Sequence, residues 1–328
     1  MKVKEWHKSA IALKKQGLSN REISRRLFGR DSKESTLRKF FKQIEDGELI
    51  FSLSQKPEPI DFHYVEGVHR PQVEILFWDI ETSIKRSWHF QQDKYLTSTQ
   101  LDKDTFIITS QWQWGVEGDN VEIVKIKPDD AVNENDFDVV LATWYLLDKA
   151  DIVVGHNVKR FDIKVMNARF AYYGLPEPSP YKVVDTYLMA RQKFGFTFKS
   201  LAHLCKYLGL PVQKLSHEGL SLWIKATQGD AQAIEDMATY GLGDIPTLIG
   251  VYKRLSGWGI GATNIGTIRK GKQPELSQAL LCPCCGSDNI KPLNSKAFTP
   301  TRGYEAYRCS GCMGVSRKSG NNLVRVTT

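Results

Sequence analysis

The sequence predicts an α/β chain built on a mixed sheet covered by helices, with a small helical module before it and a cysteine-rich module after it. Three observations carry this prediction. Apolar runs of strand length open the centre of the chain, and helical periodicities follow them. Within the first 45 residues apolar side chains recur at helical spacing, and five of the six cysteines lie in the last 47 residues.

A chain of 328 residues is long enough for more than one domain, since domains typically run to about 100–200 residues. An apolar fraction of 41% and a charged fraction of 25% exclude a fibrous or disordered chain. The longest apolar stretch, 139–147, is far below the roughly 20 residues of a membrane span, and no signal region follows the start. A cytoplasmic protein without a membrane partner is therefore expected, in a nucleoid or, if phage-encoded, in the host cytoplasm. The net charge of +8 is unevenly distributed. Residues 1–56 carry 14 Lys/Arg against 7 Asp/Glu and residues 264–328 carry 10 against 3, so both ends stand at +7 and the centre at −6. Basic ends suit phosphates, and an acidic centre suits metal ions.

In the first module (residues 1–50), Ile11, Leu13, Leu18, Ile23, Leu27, Leu37, Phe40 and Phe41 fall into three helical stretches. Ser19 with Glu22 three residues on forms a capping box for a helix over 19–28. The run from Gly17 to Leu27 resembles the first helix of helix-turn-helix DNA-binding modules. The third helix, about 33–43, would then be the recognition helix, offering Lys33, Ser35, Thr36, Arg38 and Lys39 to duplex DNA. The turn from Gly29 to Ser32 is longer than usual for such modules, and a plain three-helix scaffold is the alternative.

Pro57, Pro59 and Pro71 mark residues 51–72 as a linker. The central domain is expected over 73–262. Strands are predicted at 74–80, 105–116, 120–126 and 151–155, and helices at 137–148, 159–173, 200–208, 220–227 and 230–255. Residues 263–278 read as a second linker and 279–328 as the cysteine module.

Asp79 and Glu81 end the first strand two residues apart, so both carboxylates share one face. In Gly155-His156-Asn157-Val158-Lys159-Arg160-Phe161-Asp162, Gly155 ends a buried strand, Asn157 is placed to cap the next helix, and Asp162 falls in its second turn. Tyr240 and Asp244 lie at i and i+4, on one helix face if the helix survives Gly241, Gly243 and Pro246. If it does not, Asp244 becomes an N-cap ahead of Pro246. Each block alone has a bland explanation as a strand end, a helix-dipole charge or a cap. Together they supply what phosphodiester hydrolysis needs, namely oxygen ligands for two hard cations.

In this order, Asp79 to Thr82, Gly155 to Asp162, and Tyr240 to Asp244 resemble the three motifs of the DnaQ-like 3′-to-5′ exonuclease superfamily, of the type whose last carboxylate is preceded by tyrosine. The first two blocks look most like the proofreading domains of family B DNA polymerases. The resemblance covers about residues 73–256 and implies a ribonuclease H-like fold. It implies that Asp79, Glu81, Asp162 and Asp244 bind two Mg²⁺ or Mn²⁺ and that Tyr240 orients the attacking water. It makes Asn157 and Phe161 contacts for the terminal nucleotides, with Thr82 and His156 as further substrate contacts, and Asp185 a supporting residue. After Leu255 too few residues remain for a polymerase domain, so the expected partners are DNA 3′ ends, single-stranded or frayed, and a separate DNA polymerase.

At the C-terminal end, Cys282/Cys285 and Cys309/Cys312 form two Cys-x-x-Cys pairs, the spacing of a zinc ribbon holding one structural Zn²⁺. Cys284 competes as a ligand, and Cys205 reads as a small buried apolar residue. The leading expectation is a replication or repair exonuclease acting on DNA. A DNA-binding regulator with a dead nuclease fold is the alternative from another class, against which the intact carboxylates argue. RNA is the alternative substrate; the resemblance pairs histidine with RNA-processing relatives, so Tyr240 leans toward DNA.

Overall fold

The computed structural model describes residues 10, 13–14, 18–45, 72–89, 97–117, 120–210, 219–259 and 263–326. The chain divides into two compact units, Met1–Gln55 and Lys56–Thr328. The 51–71 part of the expected first linker lies outside the described residues, as does most of the expected first helix.

In the first unit, helix α1 (Asn20–Phe28) starts on the expected capping box. The Ser19 side chain accepts from Glu22 N, and the Glu22 carboxylate accepts from Ser19 N at 2.8 Å. Gly29 ends the helix at φ 67°, a conformation that glycine adopts without a Cβ penalty. A 3₁₀ turn, Asp31–Lys33, leads into α2 (Glu34–Glu45), and the Ser24 hydroxyl donates to Arg30 O at 2.6 Å to hold the connection. Ala10, Ile23, Leu37 and Phe40 form the core. Lys33, expected on the third helix, instead ends the 3₁₀ turn and is half-buried, whereas Ser35, Thr36, Arg38 and Lys39 are exposed. Arg38 is paired with Glu34 one turn back at 3.0 Å.

The second unit is a mixed five-stranded sheet in the order β5-β4-β1-β6-β7. Its strands are β1 (Ile75–Thr82), β4 (Ile107–Trp114), β5 (Glu122–Lys125), β6 (Ile152–Gly155) and β7 (Lys182–Asp185); short β2 (Arg86–Ser87) and β3 (Leu101–Lys103) pair beside it. β1, β4 and β5 run antiparallel, and β1, β6 and β7 run parallel. Helices follow as α3 (Pro128–Val132), α4 (Phe137–Lys149), α5 (Asp162–Tyr173), α6 (Thr186–Lys193), α7 (Leu201–Tyr207), α8 (Leu220–Thr227) and α9 (Ala231–Leu255). The alternation of β1 divides the core. Leu76, Trp78 and Ile80 pack in one cluster with Trp144, Leu147, Met166 and Phe170, while Phe77 joins Ile245, Leu248 and Tyr252 of α9 in the other.

Under the sheet, the fully buried Asp136 accepts from Ile107 N at 2.7 Å, from Arg169 Nε at 2.9 Å and from the Tyr173 hydroxyl at 2.6 Å. Burial and the Asp136 charge push the Tyr173 phenol well above its ordinary value. Asp136→Ala would leave Arg169 buried without its counter-ion, a change that typically costs about 3–5 kcal/mol. Urea denaturation of this variant is expected to show an unfolding free energy lowered by that amount; a loss below about 1 kcal/mol would contradict it.

Two features differ from the sequence reading, the start of one helix and the linker at 263–278, and a third decides the alternative left open at Asp244. Helix α5 begins at Asp162 rather than near residue 159, because residues 158–161 continue the turn that Asn157 opens at φ 66° and Phe161 stands at non-helical φ −118°, ψ −80°. Asp162 therefore opens the helix instead of lying in its second turn, and Asn157 does not cap it. Helix α9 runs unbroken through Gly241, Gly243 and Pro246, so Asp244 is not an N-cap. Proline inside a helix costs about 3 kcal/mol and each glycine about 1. Burial of Ile245, Leu248, Ile249, Val251, Tyr252 and Leu255, roughly 1.5–3 kcal/mol each, outweighs that. The expected linker at 263–278 contains α10 (Ile265–Lys272) and a 3₁₀ turn, Pro274–Leu276. Ile265 and Ile268 pack into the second core and Lys272 pairs with Asp151 at 2.6 Å, so tertiary contacts order a segment whose composition suggested a tether.

The last residues form a four-stranded antiparallel sheet, β11-β10-β9-β8, from β8 (Ile290–Phe298), β9 (Gly303–Cys309), β10 (Val315–Ser319) and β11 (Asn322–Arg325). Arg325 donates to Gly257 O at 2.9 Å and Asn264 Nδ2 donates to Leu323 O at 2.9 Å, which docks this sheet on the end of α9 and on α10. No helix among the described residues is long and apolar enough to cross a membrane.

Candidate functional site

β1 and α9 bring their carboxylates to one place. Phe77, Asp79 and Glu81 share a strand face, and Phe77 packs edge-on against Tyr252 of α9 with ring centroids 5.1 Å apart. That packing sets α9 along the face carrying Asp79 and Glu81. Carboxylate oxygens of Asp79, Glu81 and Asp244 all lie within 4.8 Å of one another.

Asp162 arrives from the other direction, at the start of α5, and is only 4% exposed. It stands outside that group of three. Burial first, and then the charge of Asp79, push its carboxyl well above the usual range, while backbone hydrogen bonds at Asp162 and Ile80 work in the opposite sense. Carboxylates crowded in this way remain charged together only with cations between them. A set of hard oxygen donors suits Mg²⁺ or Mn²⁺, so the residues present fit the expected ions.

Gln111 belongs to the site and was missed from the sequence. It sits opposite Asp79 in the β1–β4 register, is fully buried, and donates from Nε2 to Asp79 Oδ2 at 2.7 Å. Its own carbonyl accepts from the Thr109 hydroxyl at 3.0 Å, which fixes the amide orientation. Its strand also carries Thr109, Ser110 and Gln113, so no local signal singled it out. Gln111 also accounts for Gly241 in α9, because a Cβ there would lie 2.8 Å from the glutamine amide. Glycine lets helix and strand approach at the carboxylates.

Tyr240 lies one turn before Asp244 on the same helix, is 6% exposed, and meets Trp223 edge-on at 6.0 Å. The Gly155–Asp162 block turns sharply after β6. A Cβ on Gly155 would collide with Val158 at 2.6 Å. Asp185, at the end of β7, caps α6 by accepting from Tyr187 N and Leu188 N, and it also accepts from Asn157 N at 3.0 Å and Lys159 N at 3.2 Å. One carboxylate thus holds both the helix and the turn, which is the support expected of it. His156 makes contacts of 2.9 Å from Nδ1 to the Thr186 hydroxyl and from Nε2 to Lys199 O, so its ring braces the turn. Phe161 is 44% exposed at the rim, and Thr82 is half-buried at the end of β1.

At the C-terminal sheet, ligand atoms of Cys282, Cys285, Cys309 and Cys312 also lie within 4.8 Å of one another. Cys284 N points at Cys282 Sγ (3.4 Å) and Gly311 N at Cys309 Sγ (3.3 Å), bonds that favour thiolates. Four soft sulfur donors in two knuckles suit Zn²⁺. Cys284 is not one of the four, but its thiol lies against those of Cys282 and Cys312 and meets the Arg325 guanidinium. Cys205 is 1% exposed in α7.

Residues 114–221, about a third of the chain, match the family model described as Exonuclease, RNase_T. This stretch includes β6, Asp162 and Asp185, but not β1 or α9. Protein NEN4 of Arabidopsis thaliana is 26% identical over 160 residues, covering 43% of this chain and 60% of that protein. Protein NEN1 of the same plant is 29% identical over 147 residues, covering 42% of this chain and 31% of that protein. The chain thus spans less than two thirds of the length of these relatives. Among solved structures, the family B DNA polymerase of the archaeon Pyrobaculum calidifontis matches with a TM-score of 0.44 and 16% identity, over 62% of this chain and 26% of the polymerase.

Proposed function

We propose that this chain, which carries an exonuclease domain of the DnaQ-like kind, hydrolyses DNA from the 3′ end as a two-metal exonuclease in replication or repair. The observation that carries this reading is the convergence of Asp79, Glu81 and Asp244, with Asp162 beside Asp79. When bound, two Mg²⁺ or Mn²⁺ ions supply the hydroxide and neutralise charge on the phosphate and the leaving 3′-oxygen.

The chain's own residues do the rest. Asp79, Glu81, Asp162 and Asp244 would hold the ions. The phenol of Tyr240, on the helix face of Asp244, orients the attacking water. Gln111 fixes the Asp79 carboxylate through its 2.7 Å hydrogen bond. The exposed ring of Phe161 and the amide of Asn157 flank the terminal nucleotides, near Thr82, while His156 keeps their turn in place. Lys33, Ser35, Thr36, Arg38 and Lys39 of the first unit touch duplex DNA, a separate DNA polymerase is the candidate partner, and the four-cysteine sheet holds one Zn²⁺.

A 3′-labelled single strand incubated with the full chain and Mg²⁺ or Mn²⁺ should release mononucleotides, and faster from DNA than from matched RNA. An inert wild type would sink the reading, and faster release from RNA would reassign the substrate. Gln111→Ala is expected to lower turnover about 10–100-fold, the usual effect of losing a residue that orients a metal ligand. Gly241→Ala should do the same by displacing Gln111. Full activity in both variants would show that Asp79 needs no such support.

A further inference from the structure

We propose that the exposed aromatic surface of Phe198, Tyr207 and Trp258 is a stacking platform for the single-stranded stretch of nucleic acid upstream of the scissile end. The inference rests on the nuclease reading above for its ligand class. These three side chains are 63%, 66% and 63% exposed, although proteins normally bury aromatic rings. They are held in one connected array rather than scattered. Trp258 meets Phe194 at 5.5 Å, Phe194 stacks on Phe196 at 5.0 Å, and Tyr207 meets Phe196 at 5.1 Å. His203 bridges Tyr207 at 6.1 Å to Phe198 at 5.3 Å. Phe196 is only 8% exposed and Phe194 packs on the second core, so the outer rings rest on a rigid base.

Charge selects the occupant. From Thr186 to Leu210 the chain carries Arg191, Lys193, Lys199 and Lys206 and no aspartate or glutamate. Flat apolar rings interleaved with cations match a polyanion whose own units are flat rings, which is a single strand of nucleic acid. The array is also joined to the candidate site. The carbonyl of Lys199, next to Phe198, accepts from His156 Nε2 at 2.9 Å, and His156 is followed directly by Asn157. A strand whose last nucleotides lie at Asn157 and Phe161 has the platform on the same connected segment.

Affinity of the full-length protein for a labelled 12-nucleotide single strand, measured by fluorescence anisotropy without added divalent metal, tests this separately from catalysis. Trp258→Ala and Tyr207→Ala are each expected to weaken binding at least about fivefold, the low end for losing one base–aromatic stack. Tyr207→Phe, which keeps the ring, should bind like wild type, and unchanged thermal melting would show that the alanine variants fold. Alanine variants that bind as tightly as wild type, or a wild type that does not bind the strand, would overturn the platform. Variants whose solution mass changes while strand affinity does not would identify a protein contact and overturn it too. Binding that depends on the rings, in a wild type that hydrolyses no strand in Mg²⁺, would keep the platform and overturn the exonuclease reading.

Discussion

Asp79→Ala is expected to lower metal-dependent hydrolysis of a 3′-labelled strand by on the order of 10³-fold, because metal stabilisation of such a reaction is worth several kcal/mol. Asp79 is chosen over its neighbours for three reasons on one carboxylate. It belongs to the group of oxygens within 4.8 Å, its charge acts on Asp162, and a buried glutamine is devoted to orienting it. Melting of the variant should match or exceed that of wild type, since removing one of several crowded carboxylates relieves repulsion when no cation is present. Turnover within tenfold of wild type would remove Asp79 from the metal site, and with it the two-metal reading.

The second large effect is expected at the other metal site. Cys309 is fully buried at the end of β9, and Cys309→Ser should abolish stoichiometric zinc and unfold the C-terminal sheet. Structural zinc contributes on the order of 10 kcal/mol or more in small zinc modules, far beyond what Cys282, Cys284 and Ile290 bury around the cluster. Metal content by mass spectrometry and thermal melting by circular dichroism measure the two consequences. Because Arg325 and Leu323 dock this sheet on the end of α9 and on α10, loss of the sheet should also lower the melting of the core around the five-stranded sheet. Cys284→Ser is the contrast. Its sulfur touches Cys282 and Cys312, but the other four already make a complete tetrahedral set, so zinc should stay at one per chain. Zinc retained in Cys309→Ser and lost in Cys284→Ser would reassign the ligands.

Much of the fold was legible because its signals are local. The capping box at Ser19, the strand-length run before Asp79, and the i, i+4 pair Tyr240 and Asp244 depend only on residues a few positions apart. The helix start at Asp162 was misplaced because Asn157, a residue that tolerates positive φ, looked like an N-cap. The linker at 263–278 was misread because Gly, Lys and Gln dominate its composition, while Ile265 and Ile268 bury against residues far away in sequence.

By itself the sequence determined which chemistry is available: two strand-borne carboxylates, one after a Gly-His-Asn turn, one on a late helix beside a tyrosine, and four thiols in two knuckles. Those assignments follow from residue type and short spacing. Only the tertiary structure decided that α9 continues through Pro246 and lies on the face of Asp79, that Gln111 crosses from β4 to hold it, and that Gly241 makes room for both. Each of these is a contact between positions 32 to 175 residues apart. Such contacts are set by how helices and strands bury their apolar faces against one another, which no local pattern records.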